Sequence, residues 1–196
     1  MCSWCWGFHP IIKELREKHS DSYEFSLVVG GLRTKGQMPW TEESKGYLAQ
    51  NWNAVAQRTK QAFNFSFLNK THFDYDTYPA CKAIVTVREL WGEDASFAYL
   101  EKIQEAFYVK GEDLTSIDIL LTHVGTMPPC LSDASSNKEK FLEFYKSDRA
   151  ELLMQHDFSK ARSMGANAFP SVVKIDKDGH MFCVQGYKSL EEVLAF

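Results

Sequence analysis

Met1-Cys2-Ser3-Trp4-Cys5-Trp6-Gly7-Phe8-His9-Pro10 opens the chain and decides how the rest of it is read. Cys2 and Cys5 head a helix-compatible run that Ile11, Ile12 and Leu15 continue. On a helix, residues i and i+3 face each other with Cβ atoms about 5–6 Å apart, and a disulfide wants about 3.5–4.5 Å. A slight tightening of the first turn therefore joins the two sulfurs, and a slight relaxation parts them. The free amides and dipole of a helix N-terminus also favour an anion, here the Cys2 thiolate. Lowering a cysteine pKa from about 8.5 to about 7 takes roughly 2 kcal/mol, near the upper end of what one helix terminus supplies. The stretch reads as a redox centre. Structural zinc would need four ligands, and the sequence has no second Cys-x-x-Cys or His-x₃-His, so no metal is expected. Buried structural thiols would need neither this spacing nor this position.

The composition limits what surrounds that centre. With 196 residues, 44% of them hydrophobic, the chain can bury a full core. A net charge of -4 leaves no basic surplus for nucleic acid or an anionic membrane surface. No apolar run reaches the roughly 18 residues of a spanning helix, and the N-terminus has no signal-peptide pattern. The cysteine count is odd, five, which argues against a secreted disulfide framework and for reduced thiols in a cytoplasmic protein. Cys81 and Cys183 lie in apolar segments and read as small buried hydrophobes, whereas Cys130 follows Pro128-Pro129 in a loop. The glycosylation-type triplets at Asn64 and Asn69 carry no meaning without secretion.

Outward from the cysteines, a first helix is expected from Cys2 to Lys18, kinked at Pro10. Tyr23 to Val29 alternates into an apolar end and stops at Gly30-Gly31, as a buried strand does. Helical patterns then fill the next hundred residues: Glu42 to Gln61, Tyr78 to Trp91, Ala95 to Lys110, Ser116 to Val124 and Lys138 to Met164. In the third, Phe97, Leu100, Ile103 and Phe107 form one apolar stripe. Strand character returns at Phe169 to Asp176 and His180 to Gly186, two runs around Lys177-Asp178-Gly179 that predict an antiparallel hairpin. Ser189 to Phe196 predicts a closing helix with a Ser189/Glu192 capping box. The order predicts an α/β fold in which residues 1–40 and 165–196 make one domain, because strands at the two ends need each other, and 41–164 is an inserted helical domain.

Taken together, the Cys2-Ser3-Trp4-Cys5-Trp6-Gly7-Phe8 stretch, Pro10, the helical insert and a Pro170 opening the late hairpin resemble the DsbA-like branch of the thioredoxin superfamily. The FrnE-type subgroup of disulfide oxidoreductases and isomerases is the nearest match, and Ile103 to Asp113 is also similar to it. The resemblance covers nearly the whole chain. It implies a thioredoxin-like domain with a large all-helical insertion and a cis Phe169–Pro170 bond against the cysteine pair, with adjoining backbone that pairs with an extended substrate. Two features depart from the family. Its members carry a strand ahead of the cysteines, commonly ending in Asp-Pro-Met-Cys, so either that strand precedes Met1 in the natural protein or the sheet lacks it. Cys2 is then expected to fray. The Ser3-Trp4 dipeptide also has neither the proline nor the histidine of other members.

The reading that follows is thiol–disulfide exchange by an oxidoreductase or disulfide isomerase. Cys2 attacks as thiolate and Cys5 resolves the mixed disulfide. Phe169, Pro170 and an exposed Trp4 are expected to meet the substrate, while Trp6 and Phe8 are expected in the core and His9 as a half-buried imidazole without catalytic duty. Partners are protein or peptide thiols and disulfides, with glutathione as a co-substrate and no bound cofactor. The alternative from the same superfamily is a glutathione-dependent isomerase or kappa-class-like transferase, against which the second thiol, Cys5, argues. A binding module with incidental cysteines is the non-enzymatic alternative.

Overall fold

The computed structural model describes residues 1–34, 36–127 and 133–196. Helix α1 (Ser3–His19) runs through Pro10 without interruption, capped by Cys2 in extended conformation. It packs on α2 (Glu42–Thr59) at Gly7, where a Cβ would stand 2.7 Å from Val55 and 2.9 Å from Thr59. Only glycine permits that approach without displacing a neighbour. Next come a short 3₁₀ turn at Phe65–Asn69, α3 (Tyr78–Trp91), α4 (Glu93–Glu105), α5 (Ile117–Val124), α6 (Ala134–Tyr145) and α7 (Asp148–Ser163). Strands β1 (Ser171–Ile175) and β2 (Met181–Gln185) make the predicted hairpin, and α8 (Leu190–Leu194) carries the predicted capping box.

Two helices differ from the sequence pattern. The run Lys138 to Met164 is broken at Ser147, whose hydroxyl accepts the Ala150 N–H at 3.2 Å and starts α7. Asp148 and Glu151 in the new first turn favour the break, since acidic side chains complement a helix N-terminus. The expected helix Ala95 to Lys110 changes character in its last turn, Ala106–Lys110, which is a π-helical turn ended by left-handed Gly111. That wider turn places Phe107 and Tyr108 fully inside the core.

Tyr23 to Val29, expected as a buried strand, is extended but pairs with no strand among the described residues. Helix side chains take the place of a ladder. Glu93 accepts the Leu27 N–H at 3.0 Å, Asp157 accepts the Val29 N–H at 3.1 Å, and Arg88 donates to the Leu27 carbonyl. Arg88 and Asp157 are themselves joined by two bonds of 2.8 and 2.9 Å, with Asp157 buried. The described sheet therefore has two strands, in antiparallel register Ser171↔Gln185 through Ile175↔Met181. Bonds from Gly186 N–H to the Pro170 carbonyl and from Asp176 N–H to the His180 carbonyl show that even-numbered residues of β1 face β2. Ser171, Val173 and Ile175 accordingly turn their backbone groups to the other side, where the described residues supply no strand.

Apolar packing is divided between two clusters that α1 bridges. The larger holds Trp6 and Val29 together with Trp52, Phe107, Tyr108 and the interior of the helical region. The smaller gathers Phe8, Leu15 and Val193, with Ile12, Phe25 and Val172 against them.

Candidate active site

Cys2 is the cap of α1, and its sulfur accepts the Cys5 backbone N–H at 3.3 Å. The same sulfur lies 3.7 Å from the Phe169 carbonyl, to which its S–H donates. The Phe169–Pro170 peptide is cis, so both ends of the chain meet at this sulfur. Met1 does not fray, because the buried Tyr75 hydroxyl donates to its carbonyl at 3.0 Å. Sequence reasoning missed Tyr75, and its distance of 74 positions from Met1 explains why.

The two thiols are electrically unlike. A hydrogen bond from Cys5 holds the Cys2 pKa below the ordinary cysteine value, with the backbone N–H groups of Cys5 and Trp4 helping and burial opposing. The same contact, reinforced by burial, raises Cys5 well above it. One sulfur is thus prepared as a thiolate while its neighbour keeps its proton. The rate of Cys2 alkylation by iodoacetamide should rise with pH through a midpoint below that of free cysteine. Cys5→Ala should move that midpoint upward, since it removes the largest lowering interaction. An unchanged midpoint would show that Cys5 has no part in activating Cys2.

The remaining predicted residues fall as follows. Trp4 is half-buried, tilted against Tyr187 at 5.9 Å, and is therefore less exposed than expected. Trp6 and Phe8 are core residues, as expected, and Trp6 donates its indole N–H to the Ala62 carbonyl at 3.1 Å. His9 is half-buried with Nε2 3.3 Å from Glu101, and burial, more than that carboxylate, decides its pKa, which is lowered. Cys81 is buried, as expected, but Cys183 is only half-buried, because its strand lies near the surface. Cys130 lies outside the described residues. Asp176, Asp178 and His180 come together in the hairpin turn, where Asp176 accepts the backbone N–H groups of Asp178 and His180. Those bonds account for the trio as turn chemistry.

Gly30 and Phe169 lie in direct contact. A Cβ on Gly30 would stand 1.9 Å from the Phe169 ring, so the extended segment is pressed onto the residue that touches Cys2. Gly30→Ala should destabilise the protein by about 1–3 kcal/mol through overpacking, read as a lower urea midpoint. A midpoint equal to the wild type would mean that Phe169 moves aside freely.

A paired-thiol centre at a helix N-terminus, closed by a cis-proline loop on a small sheet and backed by inserted helices, defines a thioredoxin-like protein of the DsbA-like type. A family model described as thioredoxin matches residues 1–194, and the chain belongs to that family. Among solved structures, it is similar to a candidate protein disulfide isomerase from Nitrosomonas europaea, with a TM-score of 0.84 and 28% identity, covering 100% of this chain and 90% of that one. The cytosolic disulfide reductase DsbM from Pseudomonas aeruginosa, solved also with GSH, shares the fold at a TM-score of 0.76 and 23% identity, over 94% of this chain and 85% of DsbM. Among curated proteins, the ClpXP adapter protein SpxH of Bacillus subtilis strain 168 is 23% identical over 177 residues, 88% of this chain and 54% of SpxH. The chain thus spans about half the length of the curated relatives it matches. No helix among the described residues is long and apolar enough to cross a membrane.

Proposed function

We propose that the protein is a thiol–disulfide oxidoreductase in which Cys2 is the attacking thiol and Cys5 the resolving one. The observation that carries this reading is the Cys2 sulfur itself, bonded to the Cys5 N–H and set against the Phe169 carbonyl at the cis-proline loop. The Cys2 thiolate forms a bond to one sulfur of a substrate disulfide while the substrate S–S bond breaks, and the departing thiolate takes up a proton. Cys5 then gives up its proton and attacks Cys2, and the second substrate thiol leaves. Two electrons pass from the cysteine pair to the substrate, and a thiol reductant returns them. GSH is the first such thiol to test, since the Pseudomonas neighbour was solved with it.

Phe169, Pro170 and Trp4 are the substrate-binding residues in this reading, the half-buried Phe169 and Trp4 by contact and the buried Pro170 by setting the loop's backbone, and the inserted helices 41–164 shape the cleft. The substrates are protein or peptide disulfides, and the FrnE-type subgroup is the placement we retain. Reductase, oxidase and isomerase action differ only in the thiols and disulfides supplied. The test is reduction of insulin by a glutathione couple with and without the protein. Rates equal to those of buffer would reject the proposal. A glutathione-dependent isomerase or kappa-class-like transferase would work from a single site and lose nothing when Cys5 is replaced. The SpxH relatives give a second, non-enzymatic reading, a partner-binding adapter, which predicts partner binding that survives Cys2→Ser.

A further inference from the structure

Tyr187 is held at the cysteine end of α1, because Gly186 just before it donates its N–H to the Pro170 carbonyl at 2.8 Å. Its ring meets Trp4, two positions after Cys2, at 5.9 Å between centroids, and Phe8 edge-on at 6.1 Å. The guanidinium of Arg58 lies over the same ring, 5.7 Å from its centroid. Arg58 belongs to the last turn of α2, which is set against α1 where Val55 and Thr59 close on Gly7. An exposed cation is thus fixed on an aromatic ledge next to the cysteine turn.

This charge is unpaired. Arg16 and Arg88 pair with Asp94 and Asp157, but among the described residues Arg58 has no carboxylate within ion-pair distance and no hydrogen-bond acceptor. Glu192 lies within electrostatic reach of Arg58, yet it is committed elsewhere. Its Oε2 accepts the Ser189 N–H at 2.8 Å in the capping box of α8, and its Oε1 faces Lys188 at 3.5 Å. A guanidinium seated on a ring keeps its planar fork of donors free at the edge, and that fork matches a carboxylate. Carboxylates are the anions that a peptide disulfide carries. We propose that Arg58 is a specificity residue that takes a carboxylate borne next to the substrate's disulfide or thiol. The proposal deepens the exchange reading above and rests on it for the substrate. Two sources offer that chemistry, an acidic side chain flanking a protein cystine and the carboxylates of glutathione.

Two measurements separate the anion site from the reaction. The first needs no exchange. Cys2 of the reduced protein is alkylated by iodoacetate and by iodoacetamide, the thiolate displacing iodide in each case. A change in Cys2 ionisation cancels in the ratio of the two rates, so the ratio reports positive potential beside the sulfur. Arg58→Gln should lower the iodoacetate:iodoacetamide ratio about threefold at low ionic strength, and high salt should remove the difference. Arg58→Lys, which keeps the charge, should retain the wild-type ratio. A ratio unchanged in Arg58→Gln overturns the proposal. The second measurement is exchange, with dithiothreitol as reductant, on matched cystine peptides carrying Glu or Gln next to one half-cystine. The Gln peptide is then reduced with glutathione or its diethyl ester. A Glu:Gln ratio of kcat/KM of about five that falls to about one in Arg58→Gln assigns the site to acidic side chains. A glutathione:ester ratio that falls in the same way assigns it to glutathione. Active protein in which Arg58→Gln moves neither ratio overturns the proposal alone. A threefold alkylation effect in a protein inactive on every disulfide supports the anion site and rejects the exchange reading. A cation in the last turn also suits the dipole of α2, but that role alone would lower the urea midpoint and leave every ratio where it was.

Discussion

Cys2→Ser should lower the rate of insulin reduction by at least about 100-fold, because a serine hydroxyl does not ionise near neutral pH and forms no mixed disulfide. Cys5→Ser should behave differently. Cys2 then still attacks, but the sulfur that releases the substrate is gone, and a covalent protein–substrate disulfide should accumulate and be visible on a non-reducing gel. The geometry dictates this division of labour. Cys2 caps the helix, with its sulfur against Phe169, while the Cys5 thiol, half-buried like Cys2, is held protonated. Full activity in Cys2→Ser would remove the basis of the mechanism, and trapping by Cys2→Ser in place of Cys5→Ser would reverse the roles.

Asp157→Ala should be the most destabilising single change outside the site, by about 3–5 kcal/mol in urea unfolding, because it strands a largely buried Arg88 guanidinium. Loss of the ion pair is only part of the effect. Asp157 also accepts the Val29 N–H, and Arg88 donates to the Leu27 carbonyl, so two backbone groups lose partners as well. An ordinary buried ion pair is often replaced by apolar residues with little loss. Here the double variant Arg88→Met/Asp157→Leu should remain destabilised by about 2 kcal/mol or more, since each unmet backbone group costs about 1–3 kcal/mol. A double variant as stable as the wild type would show that the Leu27–Val29 segment is held by something else.

These two cases mark what was legible in the sequence. The cysteine pair, the hairpin around Asp178-Gly179 and the Ser189/Glu192 cap are local patterns, and each appears where its spacing places it. The resemblance supplied the cis Phe169–Pro170 bond, which no local pattern marks. The Tyr23 to Val29 reading failed because alternation reports which side chains are buried and says nothing about what meets the backbone. Here Glu93, Arg88 and Asp157 meet it, from positions 61 to 128 residues away. The break at Ser147 was readable, since Ser147-Asp148 followed by Glu151 is a helix-start signature that an unbroken apolar period conceals.

The outward rim of β1 has a practical consequence for anyone handling the molecule. The backbone groups of Ser171, Val173 and Ile175 face away from β2, and the strand's end at Ile175 is exposed together with Met181 and Phe182, so that end offers an edge to an extended segment of another chain. Charge that would discourage such growth sits at the hairpin tip, in Asp176, Lys177 and Asp178, and is weakened by salt. Storage life should therefore shorten steeply as concentration and ionic strength rise together.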